Sequence, residues 1–150
     1  MAAETAPGEF RAPTVAERLL NAVFGWLVGL GFGLEHNYLL QVAGRRSGRI
    51  YRTPVNVLTL DGRRWLVAPR GRTQWVRNVE VSGTAVLRRG RRFERVRLRV
   101  VADADKPPIL GAYLDRFRTT VQRHFPVTAG SPPQAFVSLA PRYPVFEITS

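Results

Sequence analysis

The chain has 150 residues, of which 45% are apolar, which is enough for one domain with its own core and excludes wholesale disorder. It has no cysteine, so disulfides, thiolate chemistry and cysteine-based zinc sites are excluded. The formal net charge of +12 comes almost entirely from arginine, because Lys106 is the only lysine. Unless it reflects a compositional bias of the source genome, this excess favours an anionic partner: a phosphorylated cofactor, nucleic acid or anionic lipid.

The first 34 residues divide into a tail and an apolar helix. Residues 1–13 are small, polar and proline-bearing, which is typical of a loose tail, and residues 14–150 are predicted to form a single domain. Thr14 and Glu17 have the spacing of a capping box, which predicts a helix over residues 14–34. Its uncharged part, residues 22–34, is shorter than the roughly 20 residues that span a bilayer. The helix either packs on the domain, or lies on a membrane surface or closes over an apolar ligand.

Short apolar runs separated by turn residues predict five or six mainly antiparallel strands. They fall at residues 39–43, 55–60, 65–68, 84–87 and 93–101, with a last strand in the segment YPVFEI. Asp61 and Gly62 predict a hairpin turn between the second and third strands. Because the fifth strand alternates between apolar residues and arginines, we expect one buried face, formed by Phe93, Val96, Leu98 and Val100.

Helices are predicted in two of the connections. Thr73 is expected to cap a short helix that ends at Ser82 and Gly83, and Asp105 a longer helix that ends near Phe125. The apolar residues of the longer helix recur at helical spacing: Ile109, Leu110, Tyr113, Leu114 and Phe117. A further short helix is predicted around residues 134–139. Together these elements indicate an α+β fold built on a small barrel or a strongly curved sheet.

Two loops rich in glycine and arginine follow predicted strands. The first, GRRSG at residues 44–48, combines glycines, which permit tight turns, with guanidinium groups and a hydroxyl. Backbone amides in such turns form concave anion sites. The second, APRGRTQWVRN at residues 68–78, places an aromatic ring and an amide beside arginines, which suits a flat heterocycle with an anionic arm. The alternative is that both loops are solvated basic turns and that Trp75 belongs to the core.

The sequence contains no self-contained catalytic centre. Neither His36 nor His124 has metal-ligand spacing, no serine lies in a G-x-S-x-G motif, and no carboxylate pair stands out. We interpret both histidines as structural or surface residues. If the protein is an enzyme, it takes its chemistry from a cofactor.

Three segments, in this order, resemble one known family. LLQVAGRRSGRIYRTPV, DGRRWLVAPRG and QWVRNV are similar to the deazaflavin-dependent nitroreductases of actinobacteria. The resemblance implies the split β-barrel of flavin-type oxidoreductases and coenzyme F420, a deazaflavin with a phosphate and a polyglutamate tail. The cofactor-binding residues that it implies are Gly44, Arg45, Arg46, Ser47 and Gly48 at the phosphate and tail, Thr53 and Pro54 against the ring, Arg70 and Gly71 on the opposite wall, and Trp75 and Asn78 beside them.

The same resemblance implies hydride transfer from the reduced deazaflavin to an electron-poor acceptor, such as a quinone, an enone or a nitro-compound. Asn56 and Tyr113 are expected on the acceptor side. Some members have a tyrosine where this chain has Asn56, which argues against nitroimidazole-type activity. We expect a cytoplasmic protein, with membrane association through the apolar helix and a homodimer as further expectations. The alternatives are FMN in the same barrel, or a basic nucleic-acid-binding domain, although no reading helix or RNP aromatic pattern is recognisable.

Overall fold

The computed structural model describes residues 37–150, which form a closed barrel of six antiparallel strands. The strands are β1 (Asn37–Ala43), β2 (Ile50–Leu60), β3 (Arg63–Val67), β4 (Thr84–Arg89), β5 (Arg92–Val100) and β6 (Val145–Thr149). They are ordered β1-β2-β3-β6-β5-β4 around the barrel. Helix α1 (Gln74–Ser82) joins β3 to β4, and helix α2 (Lys106–Val121) follows β5. The predicted α+β barrel is confirmed; the predicted tail and N-terminal helix lie outside the described residues.

Two apolar clusters hold the barrel and the helix beside it. The cluster inside the barrel takes side chains from all six strands, together with Val76 and Val79 of α1. The second cluster lies on the outer face of β2 and β3, where Leu58 and Trp65 pack against α2. Val57 and Leu58 belong to different clusters because successive side chains of a strand point to opposite faces. Each buried aliphatic side chain contributes about 1.5–3 kcal/mol, so these contacts dominate the attachment of α2.

The connection between β1 and β2 is shorter than the sequence predicted. Strand β2 begins at Ile50 rather than Val55, because Ile50 and Tyr51 favour extended backbone and pair with the last residues of β1. Pro54 therefore lies within the strand, opposite Leu39, and does not set the angle at which the chain enters it. Only residues 44–49 remain as a loop, which we call the arginine loop.

Two turn signals behave as expected. Asp61 and Gly62 both have positive φ (53° and 73°), as a two-residue type I′ hairpin turn requires. Helix α1 ends at Gly83, whose left-handed backbone (φ 68°) lets its N–H bond to the carbonyl of Val79. These turns fix where β2 meets β3 and where α1 enters β4.

The buried face predicted for β5 is correct only in its middle. Val96 and Leu98 are buried, but Phe93 and Val100 are 60% and 61% exposed. Phe93 shares the outer face with the arginines of β5 and lies under the Arg88 guanidinium, 5.0 Å from the ring centroid. At the other end of β5 it is the following residue, Val101, that is buried and bonds through its N–H to the carbonyl of Val145.

Helix α2 is anchored at its start by a buried lysine. Lys106 donates to the carbonyl of Ala140 at 3.0 Å and pairs with the carboxylate of Asp103 at 2.7 Å. The predicted apolar positions of the helix are all buried. Phe117 departs from helical geometry (φ −115°, ψ 21°), so the chain bends there before a 3₁₀ turn, Gln122–His124, ends the helical segment.

Replacing Lys106 with methionine tests this anchor, because methionine keeps the length of the side chain but removes its donors. We expect a loss of about 1–3 kcal/mol in the free energy of unfolding, the cost of leaving a carbonyl and a carboxylate without their charged partner. Chemical denaturation measures it. Arg118→Met, on the exposed face of the same helix, is the control and should change stability by less than about 0.5 kcal/mol. Equal stability of the two variants would contradict the anchoring role.

Candidate functional site

A cavity of about 730 Å³ lies beside the barrel, between three walls. The first wall is the arginine loop and the first half of β2. The second is the connection from β3 to α1 with the first turns of that helix, and the third is the end of α2 with the 3₁₀ turn after it. The first two walls are neighbours because β2 and β3 pair directly. The third wall is added by α2, which crosses the outer face of these two strands.

The arginine loop is fastened to α1 through one buried amide. The side-chain oxygen of Asn78 accepts hydrogen bonds from the backbone N–H of Arg45 at 3.1 Å and from its guanidinium at 2.9 Å. The same guanidinium nitrogen also donates to the side-chain oxygen of Gln74 at 3.0 Å. Asn78 is only 3% exposed, so its position is set by the packing of α1 on the barrel. The loop therefore reaches the cavity in a fixed conformation.

Glycine is required at the entrance of this loop by crowding. A Cβ atom on Gly44 would lie 2.7 Å from the ring of Tyr51 and 3.0 Å from the hydroxyl of Ser47. Gly48 has a left-handed backbone (φ 73°), and its N–H closes the turn on the carbonyl of Gly44 at 2.9 Å. The two glycines thus make the loop compact, and only Gly44 lines the cavity.

The start of α1 presents unused donors to the cavity. Thr73 occupies the N-cap position, but its side chain makes no capping bond; its hydroxyl is buried and has no hydrogen-bond partner. The first intrahelical bond runs from the N–H of Arg77 to the carbonyl of Thr73, so the preceding N–H groups have no partner within the helix. A buried, unpaired hydroxyl costs roughly 1–3 kcal/mol unless a ligand satisfies it. This end of the cavity is suited to an anion.

A chain of polar side chains crosses the other end of the cavity. The Asn37 amide donates to the side-chain oxygen of Asn56 at 2.5 Å, and Asn56 is hydrogen-bonded to the phenol of Tyr113. Tyr113 is 2% exposed, and its ring packs edge-on against Phe117 at 5.1 Å. Burial raises the pKa of the Tyr113 phenol well above its ordinary value near 10, although the Asn56 hydrogen bond lowers it slightly. The phenol is therefore a neutral hydrogen-bond donor at physiological pH.

The cavity is positively charged and has no compensating acid among the described residues that line it. Five arginines line it: Arg45, Arg46, Arg52, Arg70 and Arg123. The acidic side chains pair elsewhere, as Glu80 does with Arg72 and Glu94 with Arg64. Burial, together with Arg123 and Arg70, lowers the pKa of the His124 imidazole, which also lines the cavity. An anionic ligand would relieve this repulsion.

Most of the residues singled out in the sequence meet in this cavity. Of the residues expected to bind the cofactor, nine line it: Gly44, Arg45, Arg46, Ser47, Thr53, Pro54, Arg70, Trp75 and Asn78. Gly48 and Gly71 do not line it, because each turns the backbone away at a positive φ (73° and 85°). Both residues expected on the acceptor side, Asn56 and Tyr113, line it as well. Their roles remain predictions, which are developed below.

Several lining residues escaped the sequence analysis. Thr73 was expected to cap α1 with its side chain, but the hydroxyl lies in the cavity wall instead. His124 was interpreted as structural or surface, yet it lines the cavity together with Arg123. No local sequence pattern marks Arg123 and His124 as residues of the site. The bend at Phe117 and the packing of α2 bring them to the cavity.

The closed antiparallel barrel with a basic groove beside β2 agrees with the split β-barrel that the sequence resemblance implies. The family model for the F420H(2)-dependent quinone reductases matches residues 17–127, and the chain belongs to that family. It is thus an F420-dependent reductase, and coenzyme F420 is its cofactor. No curated protein sequence matches the chain.

Solved structures with the same fold share little sequence with the chain. An F420-H2 dependent reductase, FDR-A, is 15% identical with a TM-score of 0.52, covering 76% of this chain and 94% of its own. A structure described as a domain-swapped dimer is 17% identical with a TM-score of 0.54, at 89% and 92% coverage. The Agrobacterium tumefaciens protein Atu2129, of unknown function, is also 17% identical, with a TM-score of 0.51, at 91% and 58% coverage. At these identities the likeness concerns the fold.

The residues of the cavity fit coenzyme F420. Its phosphate and acidic tail need donors and positive charge, and the unpaired hydroxyl of Thr73 beside Arg45 and Arg46 provides both. Its flat ring needs apolar walls, which Pro54 and the half-buried ring of Trp75 supply. The lack of a carboxylate among the described lining residues removes the main source of repulsion for such an anion.

The lowered pKa of His124 can be measured directly. We expect an NMR titration to give a pKa below the usual histidine value of about 6.5, because burial and two arginines disfavour the imidazolium. His36→Gln leaves a single histidine and assigns the resonance. Since the unfolded chain binds this proton more readily, the free energy of unfolding should fall as pH drops through 6.5. A pKa at or above 6.5 would contradict the described surroundings of the ring.

Proposed function

We propose that the protein reduces quinones, with coenzyme F420 lying in the cavity between the start of α1 and Tyr113. The observation that carries the proposal is the buried, unpartnered hydroxyl of Thr73 in an arginine-lined cavity with no described acidic lining residue. Enones and nitro-compounds are the other acceptor classes for the same chemistry. Quinones are favoured by the family to which the chain belongs.

The phosphate of the cofactor is placed at the junction of α1 and the arginine loop. A helix N-terminus combines unpaired N–H groups with the positive end of the helix dipole, which suits an anion. Arg45 is held there by Asn78, and Arg46 lies next to it on the exposed rim. Ser47 accepts from the N–H of Arg49 at 3.2 Å, which leaves its hydroxyl hydrogen for the ligand. The acidic tail is expected to pass Arg46 on this rim.

The ring of the cofactor is placed along β2. Thr53 and Pro54 form one side of the groove, and Trp75, which is tilted against Phe146 at 5.8 Å between ring centroids, forms part of the other. Trp75 is fixed by this core contact, so it provides a rigid wall. Residues that hold two reactants face to face lower the entropic barrier of a bimolecular step. We assign this positioning role to the β2 and α1 walls.

When bound in its reduced form, coenzyme F420 supplies a hydride. Reduction of a quinone to a hydroquinone takes up this hydride and one proton. Tyr113 is the candidate donor to the acceptor oxygen, because burial keeps its phenol protonated and the hydrogen bond with Asn56 fixes its orientation. Asn37 in turn holds the Asn56 amide. A donor aimed at the oxygen that gains negative charge stabilises the transition state.

The test of the proposal begins with binding. Purified protein is titrated into coenzyme F420 while the intrinsic fluorescence of the cofactor is followed, with FMN and random duplex DNA as parallel ligands. Turnover is then measured anaerobically as the oxidation of reduced F420 by quinones, enones and nitro-compounds. Micromolar binding of F420 with turnover of a quinone would support the proposal. Binding of F420 without turnover of any quinone would contradict the acceptor class alone.

Arg46→Ala is expected to weaken F420 binding about ten- to a hundredfold, since one charge-assisted contact contributes roughly 1.5–3 kcal/mol. Fluorescence titration gives the dissociation constant. Arg49→Ala is the matched control, because Arg49 is in the same loop and is exposed but does not line the cavity. If folded Arg46→Ala protein bound F420 as tightly as both Arg49→Ala and the wild type, the loop would not hold the cofactor.

Tyr113→Phe keeps the ring and removes the donor. We expect kcat with a quinone to fall about a hundredfold, the lower end of the range for loss of a general acid, while the dissociation constant of F420 stays within about twofold. Stopped-flow measurement of reduced F420 oxidation separates the two quantities. Leu114→Met, a buried neighbour outside the cavity lining, controls for disturbance of α2. A wild-type kcat in Tyr113→Phe would exclude the phenol as the donor.

Assembly and location remain expectations. We propose a homodimer because a structure with the same fold is described as a domain-swapped dimer. Within residues 37–150 the structure has no helix that is long and apolar enough to cross a membrane. The predicted helix of residues 14–34, on which the membrane contact depends, lies outside the described residues.

A further inference from the structure

The end of α2 forms a second basic corner of the cavity, on a different wall from the arginine loop. Arg123 and His124 lie in the 3₁₀ turn after the helix, and Arg70 approaches from the connection between β3 and α1. The Arg123 side chain donates through Nε to Nε2 of His124 at 3.4 Å. This contact places the two side chains next to each other at the corner.

This corner is held rigidly by three hydrogen bonds and one ring contact, although Arg123 itself is exposed. The Gln122 amide donates to the carbonyl of Val127 at 2.7 Å and accepts from the N–H of Ala129 at 2.9 Å. The Tyr143 hydroxyl donates to the carbonyl of His124 at 2.5 Å, and the ring of Phe125 stacks on that of Tyr143 at 4.4 Å. These contacts give the turn that carries Arg123 and His124 a fixed conformation.

The charge of the corner has no counterpart among the described lining residues. None of the Asp or Glu side chains of residues 37–150 lines the cavity. Asp115, on the same helix, is engaged by the N–H of Gly130 at 2.7 Å. Because the phosphate of the cofactor is assigned to the start of α1, this second corner is left for a different anionic group.

We infer that Arg123, with His124 beside it, recognises an anionic substituent, a carboxylate or a sulfonate, on the acceptor. The inference rests on the proposed function, since it adds an acidic side group to the quinone that is reduced near Tyr113. A guanidinium binds a carboxylate through two parallel hydrogen bonds, so the corner would orient the acceptor as well as attract it. The acidic tail of the cofactor is the other source of such a group, and the experiment separates the two.

The experiment compares a benzoquinone that carries a carboxylate side chain with its methyl ester at pH 7.5. For the wild type we expect the lower KM with the acid. Arg123→Gln should raise the ratio of the KM of the acid to the KM of the ester by about two- to fivefold, the range for a solvent-exposed charge pair. Arg123→Glu should raise it further, Arg123→Lys should retain most of the preference, and Arg118→Gln, exposed on α2, should leave the ratio unchanged.

A second measurement does not depend on turnover. In His36→Gln protein without cofactor, the acid should shift the NMR resonance of His124 at lower concentration than the ester does, and Arg123→Gln should abolish the difference. If this NMR difference is observed but no quinone is turned over, the proposed acceptor class is refuted and the anion site is supported. Unchanged KM ratios and equal NMR shifts would overturn the inference. A higher dissociation constant for F420 in Arg123→Gln, with an unchanged ratio, would assign the corner to the tail of the cofactor and also overturn it.

Discussion

The side-chain oxygen of Asn78 accepts hydrogen bonds from both the backbone and the guanidinium of Arg45, and the geometry of the cavity depends on this double contact. Without it, a six-residue loop carrying three arginines would be spread by mutual repulsion. Asn78 can hold the loop because its own helix is fixed to the barrel through Val76 and Val79. The hydrophobic core thus determines where positive charge is placed. A ligand that binds there meets donors that are already positioned.

The residues that we assign to the cofactor and to the acceptor belong mainly to different parts of the fold. The barrel and α1 supply the arginine loop, the start of the helix and the wall of β2, whereas α2 supplies Tyr113 and the corner with Arg123. The two parts also belong to different apolar clusters, one inside the barrel and one on its outer face. Because the clusters are separate, substitutions along α2 can change the acceptor wall with little effect on the residues assigned to the cofactor.

The arginine excess has two physical roles in the described part of the chain. On the outside of the barrel, arginines pair with the few acidic residues, as Arg99 and Arg63 do with Glu147. In the cavity they are concentrated without an acidic partner among the described lining residues. Concentrated like charge lowers the stability of the free protein, and an anion that binds only the folded state restores it by mass action. Net charge alone does not distinguish the two roles. The role of each arginine depends on whether an acidic residue pairs with it in the folded protein.

The sequence by itself determined the class of fold and most of one wall of the site. Apolar alternation, the Asp61-Gly62 turn and the helical spacing of the apolar residues in α2 are local signals, and local signals set strand and helix positions. The two glycine and arginine loops were recognisable for the same reason, since GRRSG and the segment around Trp75 and Asn78 are each continuous in the chain. The ends of elements were less well predicted, as the early start of β2 shows, because strand pairing extended it into the loop.

Only the tertiary structure decided which of these residues share a cavity and which others join them. Thr73 follows the usual sequence pattern of a helix cap, yet its buried hydroxyl makes no capping bond and has no hydrogen-bond partner. Arg123 lies 53 residues after Arg70 and 77 residues after Arg46, and the bend at Phe117 and the packing of α2 bring it and His124 to the cavity that these residues also line. Proximity between distant segments is produced by packing, and packing depends on the shape and volume of many side chains at once. No short pattern in the sequence contains that information.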